Sequence, residues 1–297
     1  MKKQLTVLID NAISFILLLV AGLTPLLFLN QMTEFYEMPK LVFIVVSTMV
    51  LLGLWIFSWI LTRTPLDIPL LLLAGIIIVS TFFSVSKFQA IYGNFPRVHG
   101  SAVAWIAYIA LYFVTVSNLK SLVKIKTLLY VIYGSAALIG LISIASFFGA
   151  YMPFDFARAA NFTPTGSSFS TVALLLLLLP LPLLSIVSVN KFMPVPFALA
   201  LSIVFGVTVA LTGSLPALIA LAVVFALCYL VAKPHKIAKF RKSLPLFLTP
   251  VVVVGLVLTL AYLPFPGNKV QQLQAAFPKE IQLPFSGAND ILCFHQD

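Results

Sequence analysis

Two arginines and one hydroxyl-rich turn have the side chains best suited to hold phosphate. Arg97 and Arg158 each lie in a polar stretch between long apolar runs. A guanidinium keeps its charge and grips phosphate with two parallel N–H donors. Thr165, Gly166 and Ser167 directly precede a leucine-rich run, so we expect them at a helix start, where free backbone amides favour an anion. The sequence therefore predicts a phosphate site built from these residues.

Four further residues are weaker candidates for the same site. Lys40 can add a point charge to an anion site. His99 has a side chain that titrates near neutrality and can act as a general base, although no partner for it is evident from the sequence. Thr212 and Ser214 offer hydroxyls in a short turn between two apolar runs.

Each candidate also has a structural alternative. Arg158 can extend along apolar surface to reach water, and Ser167 or Ser168 can simply cap the helix that follows. The cysteines, Cys228 and Cys293, are far apart and have no metal-ligand spacing. We therefore predict no metal site.

The composition excludes a water-soluble fold. The 297 residues are 61% hydrophobic and 9% charged, whereas a soluble domain carries about 25% charged residues. The net charge of +10 is spread over short loops between apolar runs. Basic residues in short loops are typical of membrane proteins, in which they set the orientation of the helices. The charge therefore does not indicate nucleic-acid binding.

The apolar runs predict an all-α, polytopic integral membrane protein of about nine transmembrane helices. The runs are continuously apolar rather than alternating, which favours helices over a β-barrel. No ionisable residue lies inside the predicted spans, which counts against an ion-coupled carrier. The spans are residues 11–30, 41–62, 68–84, 101–117, 127–149, 169–189, 194–213, 215–232 and 244–264.

The distribution of Lys and Arg predicts the orientation. Most Lys and Arg residues fall in loops predicted on the same side of the membrane as the N-terminus, above all in residues 233–243. Loops rich in these residues stay in the cytoplasm, so the N-terminus is expected there. Residues 1–264 then form the transmembrane domain, and residues 265–297 form an exported tail. The first apolar run is longer than a signal-peptide core, and we interpret it as a retained span.

Several short motifs, taken in order, resemble the O-antigen ligase and O-antigen polymerase superfamily of bacterial membrane proteins. The resemblance extends over nearly the whole chain, and its motifs are Glu37–Lys40, Ser80–Ser86, Tyr92–Arg97 with Gly100, Phe162–Ser167 and Leu211–Ser214.

The resemblance implies an enzyme of the bacterial cytoplasmic (inner) membrane. Its members move a glycan from a polyprenyl-diphosphate carrier to a lipid or protein acceptor on the outer face. Arginines hold the diphosphate, and neither a metal nor another cofactor is needed. Membrane lipids surround the protein, and nucleic acid is not a partner.

Two departures from the family pattern affect these expectations. Leu215 and Pro216 stand where the family has Arg-Gly, so one expected phosphate ligand is missing. The sequence also ends where a large outward loop should begin, and His295 in the tail matches no family motif. We therefore expect a truncated or divergent member, with its catalytic base unidentified and its activity open. The alternatives are a transporter or flippase of lipid-linked sugars, and a non-catalytic membrane scaffold.

Overall fold

The computed structural model describes residues 2–29, 36–58, 64–93, 98–150, 162–187, 193–232 and 237–262. This described part is helical, with no β-strand in it. Two 3₁₀ turns, Thr24–Leu26 and Val98–Gly100, accompany the α-helices. The α-helices are α1 (Lys2–Leu23), α2 (Glu37–Ser58), α3 (Asp67–Phe82), α4 (Lys87–Tyr92), α5 (Ala102–Asn118), α6 (Leu122–Phe147), α7 (Ser168–Leu178), α8 (Pro180–Val187), α9 (Val195–Leu211), α10 (Leu215–Ala232) and α11 (Ile237–Tyr262).

Every predicted span coincides with helix in the described residues. Four segments are long and apolar enough to cross a membrane: Val7–Leu26, Glu37–Ile56, Leu122–Phe147 and Ser168–Ile186. The other predicted spans correspond to shorter apolar helices, so the count of nine crossings stays a prediction. The sixth predicted span is divided into α7 and α8 at Pro180, whose ring nitrogen cannot donate a helical hydrogen bond.

Several observed helices begin closer to the polar loops than predicted. Asp10 lies inside the candidate span Val7–Leu26, Glu37 and Lys40 lie inside Glu37–Ile56, and Lys124 and Lys126 lie inside Leu122–Phe147. These residues fall outside the predicted bounds 11–30, 41–62 and 127–149, so the absence of ionisable residues from the spans stays a prediction. Helical hydrogen bonding continues past the last apolar residue, so hydropathy alone does not mark where a helix begins.

The chain divides into two compact units, Met1–Ser135 and Ala136–Asp297. In the first unit α2 packs against α1 and α5, and α3 packs against α5. Its core includes Ile13 and Leu17 of α1, Leu51 of α2 and Val114 of α5. The predicted tail, residues 265–297, lies outside the described residues.

In the second unit, α9 is the central helix. It packs against α7, α8, α10 and α11, and its side chains Phe205 and Val209 are fully buried. Gly206 permits close contact with α11, because a Cβ at this position would lie 2.7 Å from Cγ2 of Val254.

Large apolar side chains cover much of the outer helix surfaces. On α3, Ile68, Leu72 and Ile76 are exposed, and on α10, Leu227 and Leu230 are exposed. An apolar surface of this extent is unusual on a soluble monomer. Together with the long apolar helices, it suggests a membrane protein.

Candidate functional site

The predicted phosphate turn forms a compact structure directly before α7. The N–H of Gly166 donates to the carbonyl of Thr163 at 3.0 Å, and Pro164 occupies the second position, where its fixed φ suits a type I turn. Gly166 has φ of 98°, in the left-handed region that favours glycine. The sequence Thr-Pro-Thr-Gly therefore specifies a turn that ends where α7 begins.

The hydroxyls of Thr165 and Ser167 form hydrogen bonds within the turn and with the first turn of α7. Ser167 caps α7, because its Oγ accepts the N–H of Ser170 at 3.0 Å. Thr165 Oγ1 lies 2.5 Å from Oγ1 of Thr171 and 3.1 Å from the carbonyl of Ser167. The capping alternative is therefore confirmed for Ser167, and a phosphate role for the hydroxyls of Thr165 and Ser167 stays a prediction.

The backbone at the start of α7 provides donors that the turn does not use. The first amides of a helix have no partner within the helix. Ser167 binds the amide of Ser170, whereas the amides of Ser168 and Phe169 have no hydrogen-bond partner within the described part of the chain. They can donate to an anion, which the positive end of the helix dipole also favours.

A small cavity of about 40 Å³ lies beside this helix start. Ser143, Thr208 and Thr212 donate their hydroxyl protons to carbonyls of α6 or α9, at 2.7–2.8 Å. Their oxygens therefore face the cavity mainly as acceptors. The cavity suits water or the donor group of a ligand better than a phosphate oxygen. Its hydroxyl-bearing lining residues are Ser143, Thr163, Ser168, Thr171, Thr208 and Thr212.

A larger apolar pocket of about 380 Å³ lies between α7 and α10. We call it the α7–α10 groove. Its walls are Val172, Ala173 and Leu176 of α7, with Ala217 and Ala220 of α10. Its polar end is at the two helix starts and is formed by Ser168, Thr212 and Ser214. Because Ser168 and Thr212 also line the hydroxyl cavity, the groove and the cavity are adjacent.

In the first unit, Lys40 is buried near the start of α2 with 8% of its surface exposed. Its ammonium lies 6.0 Å from the centre of the Tyr36 ring, within the range of a cation–π interaction. Burial raises the pKa of the Tyr36 phenol. Glu37, three residues before Lys40, lies at a spacing that brings side chains together on a helix.

His99 has a partner that the sequence did not reveal. Its Nδ1 lies 2.6 Å from the hydroxyl of Tyr108 on α5. Tyr108 packs against the buried cluster of Leu41, Val98 and Ala104, and so fixes the histidine near the start of α2. The short hydrogen bond orients the ring, which is one requirement for acid–base or ligand-binding work.

Gly93 is the last described residue before the segment that contains Arg97, and its backbone conformation requires glycine. It has φ of 93°, and a Cβ there would lie 2.8 Å from Cα of Val98. Only glycine fits both constraints. Gly93 and Val98 are therefore in close contact, and Val98 packs against Leu41 and Ala104.

The structure brings only some of the predicted site residues together. Thr165, Gly166, Ser167, Thr212 and Ser214 belong to the second unit and lie around the α7–α10 groove or the turn before it. Lys40 and His99 belong to the first unit, while Arg97 and Arg158 lie outside the described residues. The prediction that both arginines share one cleft with the turn therefore remains a prediction.

Sequence reasoning missed the small side chains that make the groove. Ala173 and Ala220 were part of featureless apolar runs, and only the packing of α7 beside α10 gives them a role. Within the described residues, no three His, Cys, Asp or Glu side chains are placed to hold a metal ion.

No protein-family model, no curated protein and no solved structure matches this chain. The chemistry of the site therefore follows from its own geometry. Within one unit, the site combines helix-start amides that no described residue bonds, a hydroxyl cavity and an apolar groove. This arrangement suits a ligand with a phosphate group and a long apolar chain.

Proposed function

We propose that this chain is a multi-pass protein of the bacterial cytoplasmic membrane that binds a polyprenyl-diphosphate-linked glycan. Nine helices cross the membrane, the N-terminus is cytoplasmic, and the start of α7 faces outward. The protein moves the glycan to a lipid or protein acceptor, as in the O-antigen ligase and polymerase superfamily that its motifs resemble. The proposed reaction uses no metal and no other cofactor.

The observation that carries the proposal is the α7–α10 groove. Its apolar walls end at hydroxyls and at the amides of Ser168 and Phe169, which no described residue bonds. The isoprenoid chain is already surrounded by lipid, so van der Waals packing against the groove walls, and not transfer from water, stabilises it there. A groove open to lipid accepts the chain without its leaving the membrane. The diphosphate then lies at the positive end of α7.

The proposed chemistry places positive groups where charge develops. The acceptor oxygen or nitrogen bonds to the anomeric carbon of the glycan while the bond from that carbon to the diphosphate oxygen breaks. Polyprenyl diphosphate leaves with the extra negative charge, and the proton of the acceptor passes to a base. Arg158, four residues before Phe162 in the sequence, and Arg97 stabilise the leaving group, as fixed cations stabilise other phosphate leaving groups.

A transporter or flippase of lipid-linked sugars is the second candidate. Lys40 is buried inside a candidate span, and Glu37 is in the same span. Ionisable groups within membrane helices often mark a transport pathway. Proteoliposomes that contain a fluorescent lipid-linked glycan separate the two functions. Transfer yields a glycosylated acceptor, whereas transport moves the intact lipid-linked glycan across the bilayer.

The groove is tested by filling it. Ala220→Phe places a benzyl group among the groove walls and should weaken binding of a polyprenyl diphosphate by about tenfold or more, because the ring occupies the space that the lipid chain needs. The measurement is donor-lipid affinity of the purified protein in detergent.

Ala222→Phe is the matched control, because Ala222 is on the same helix but exposed and outside the groove. Equal affinity for the two variants, both folded, would remove the groove from the proposal. A scaffold that binds no donor lipid would show no measurable affinity in the wild-type protein.

A further inference from the structure

A second polar pocket lies in the first unit, at the junction of α1, α5 and α6. It has a volume of about 200 Å³ and is lined by Asp10, Ser117, Asn118, Lys120, Ser121 and Lys124. Lys120 and Ser121 are exposed, while Ser117 is 1% exposed. The pocket therefore opens to the surface and has a buried floor. The proposed glycan-transfer function uses none of its residues.

The floor of the pocket holds polar atoms whose hydrogen-bonding capacity is not met. In the part of the chain that the structure describes, Oδ1 of Asp10 and Oγ of Ser117 are buried without a hydrogen-bond partner. Buried polar groups are almost always bonded, and an unbonded carboxylate oxygen is among the most unfavourable cases. A ligand that donates hydrogen bonds to this floor would satisfy both atoms.

Two lysines line the same pocket. The ammonium of Lys124 donates to Oγ of Ser14 at 2.8 Å, and Ser14 donates to the carbonyl of Asp10 at 2.7 Å. This chain of hydrogen bonds fixes Lys124 against α1. Lys120 adds a second ammonium at the exposed rim. The pocket thus joins two cations to one unsatisfied carboxylate oxygen.

The surroundings of the pocket indicate a lipid ligand. Leu122 and Val123, between Ser121 and Lys124, are 74% and 73% exposed. Val7 and Leu8, which precede Asp10 on α1, are also exposed. Acyl chains can cover these side chains while a headgroup occupies the pocket. Basic pockets between membrane helices on the cytoplasmic side bind phosphate-bearing headgroups such as that of cardiolipin; this pocket adds a carboxylate to the lysines.

We propose that this pocket binds the headgroup of an amine-bearing phospholipid of the phosphatidylethanolamine type. The phosphate lies between Lys120 and Lys124, and the primary ammonium donates to Oδ1 of Asp10. Ser117 contacts the same headgroup through its hydroxyl. The matching of a zwitterion to both signs of charge favours this lipid over an anionic one, which would leave the carboxylate without a cation. The site depends on membrane insertion, and it is independent of the donor-lipid groove.

The test compares phospholipids that differ only in their headgroups. The full-length protein in detergent is titrated with short-chain phosphatidylethanolamine, phosphatidylcholine and phosphatidylglycerol that carry identical acyl chains, and binding is measured by native mass spectrometry. Choline has no N–H, so we expect phosphatidylethanolamine to bind about tenfold to a hundredfold more tightly, the range for a hydrogen bond to a charged group. Equal binding of the two, or tighter binding of phosphatidylglycerol, would overturn the proposal without any variant.

Two variants test which residue contacts the amine of the headgroup and which contacts its phosphate. Asp10→Asn should lower the preference for ethanolamine over choline by about tenfold, because the amide oxygen still accepts an N–H but carries no charge, and Lys124→Gln should weaken binding of both lipids by about tenfold. Lys87→Gln, an exposed lysine on α4 outside the pocket, is the control and should leave both affinities unchanged. A folded Asp10→Asn variant that keeps the preference would contradict the assignment. The wild-type comparison of lipids decides the proposal if that variant does not fold.

The groove variant separates this proposal from the proposed function. Ala220→Phe changes the second unit, whereas the pocket belongs to the first. It should lose donor-lipid binding and keep the preference for phosphatidylethanolamine. Loss of that preference in this variant would contradict a separate headgroup site.

Discussion

At the scale of single residues, the arginines carry the most specific expectation. Arg97→Ala and Arg158→Ala should each weaken binding of a polyprenyl diphosphate by about tenfold to a hundredfold, because a charge-assisted contact to phosphate contributes about 1.5–3 kcal/mol. The measurement is donor-lipid affinity in detergent. Lys239→Ala removes a basic residue predicted to face the cytoplasm and should change nothing.

Equal affinities in all three variants would exclude the two arginines from the site. A separation of their Cα atoms by more than about 20 Å would exclude a shared diphosphate, because two extended side chains could not reach it together. Lysine at either position should restore only part of the affinity, since an ammonium lacks the planar pair of donors.

The role of a side chain was predictable where it depends on residues nearby in the sequence. The role of Ser167 as a helix cap follows from its place before an apolar run, and the structure confirms that role. The partner of His99 was not predictable, because Tyr108 reaches it only after the chain turns between Gly100 and α5. The burial of Lys40 likewise depends on how α2 packs against α5.

At the scale of helices, glycine controls the closest packing in the second unit. Gly206→Leu should destabilise the protein by about 1–3 kcal/mol, the usual cost of overpacking, because Val254 on α11 occupies the space that the new side chain needs. The midpoint of thermal unfolding in detergent measures the effect.

Gly255→Leu on α11 is the matched control. Its Cβ would have nothing within 4 Å, so the substitution gains the same helix propensity without a clash. It should unfold at or above the wild-type temperature. A Gly206→Leu variant as stable as Gly255→Leu would contradict the close contact between α9 and α11.

Helix positions were predictable from long apolar runs, but helix ends and pockets were not. All predicted spans are helical, because continuous apolar segments of this length satisfy their own backbone as helices. The groove depends on the juxtaposition of α7 and α10, which no periodicity in either helix reveals. The pocket at Asp10 depends on α1 continuing as a helix beyond its apolar part.

At the scale of the whole molecule, both proposed lipid sites depend on one arrangement in the membrane. The groove begins at the start of α7, which the basic-residue distribution places outside. The headgroup pocket includes Lys120 and Lys124, which the same distribution places inside. The headgroup pocket is therefore predicted to contact lipid of the inner leaflet.

The most direct test of the account is the accessibility of single cysteines in intact cells. In a background with Cys228 and Cys293 replaced by serine, Ser168→Cys marks the start of α7 and Ser243→Cys marks the basic segment before the last predicted span. A membrane-impermeant maleimide should label Cys at position 168 and not at 243, since the first is predicted outside and the second inside. Labelling at 243 but not at 168 would reverse the orientation and contradict an outward-facing donor site.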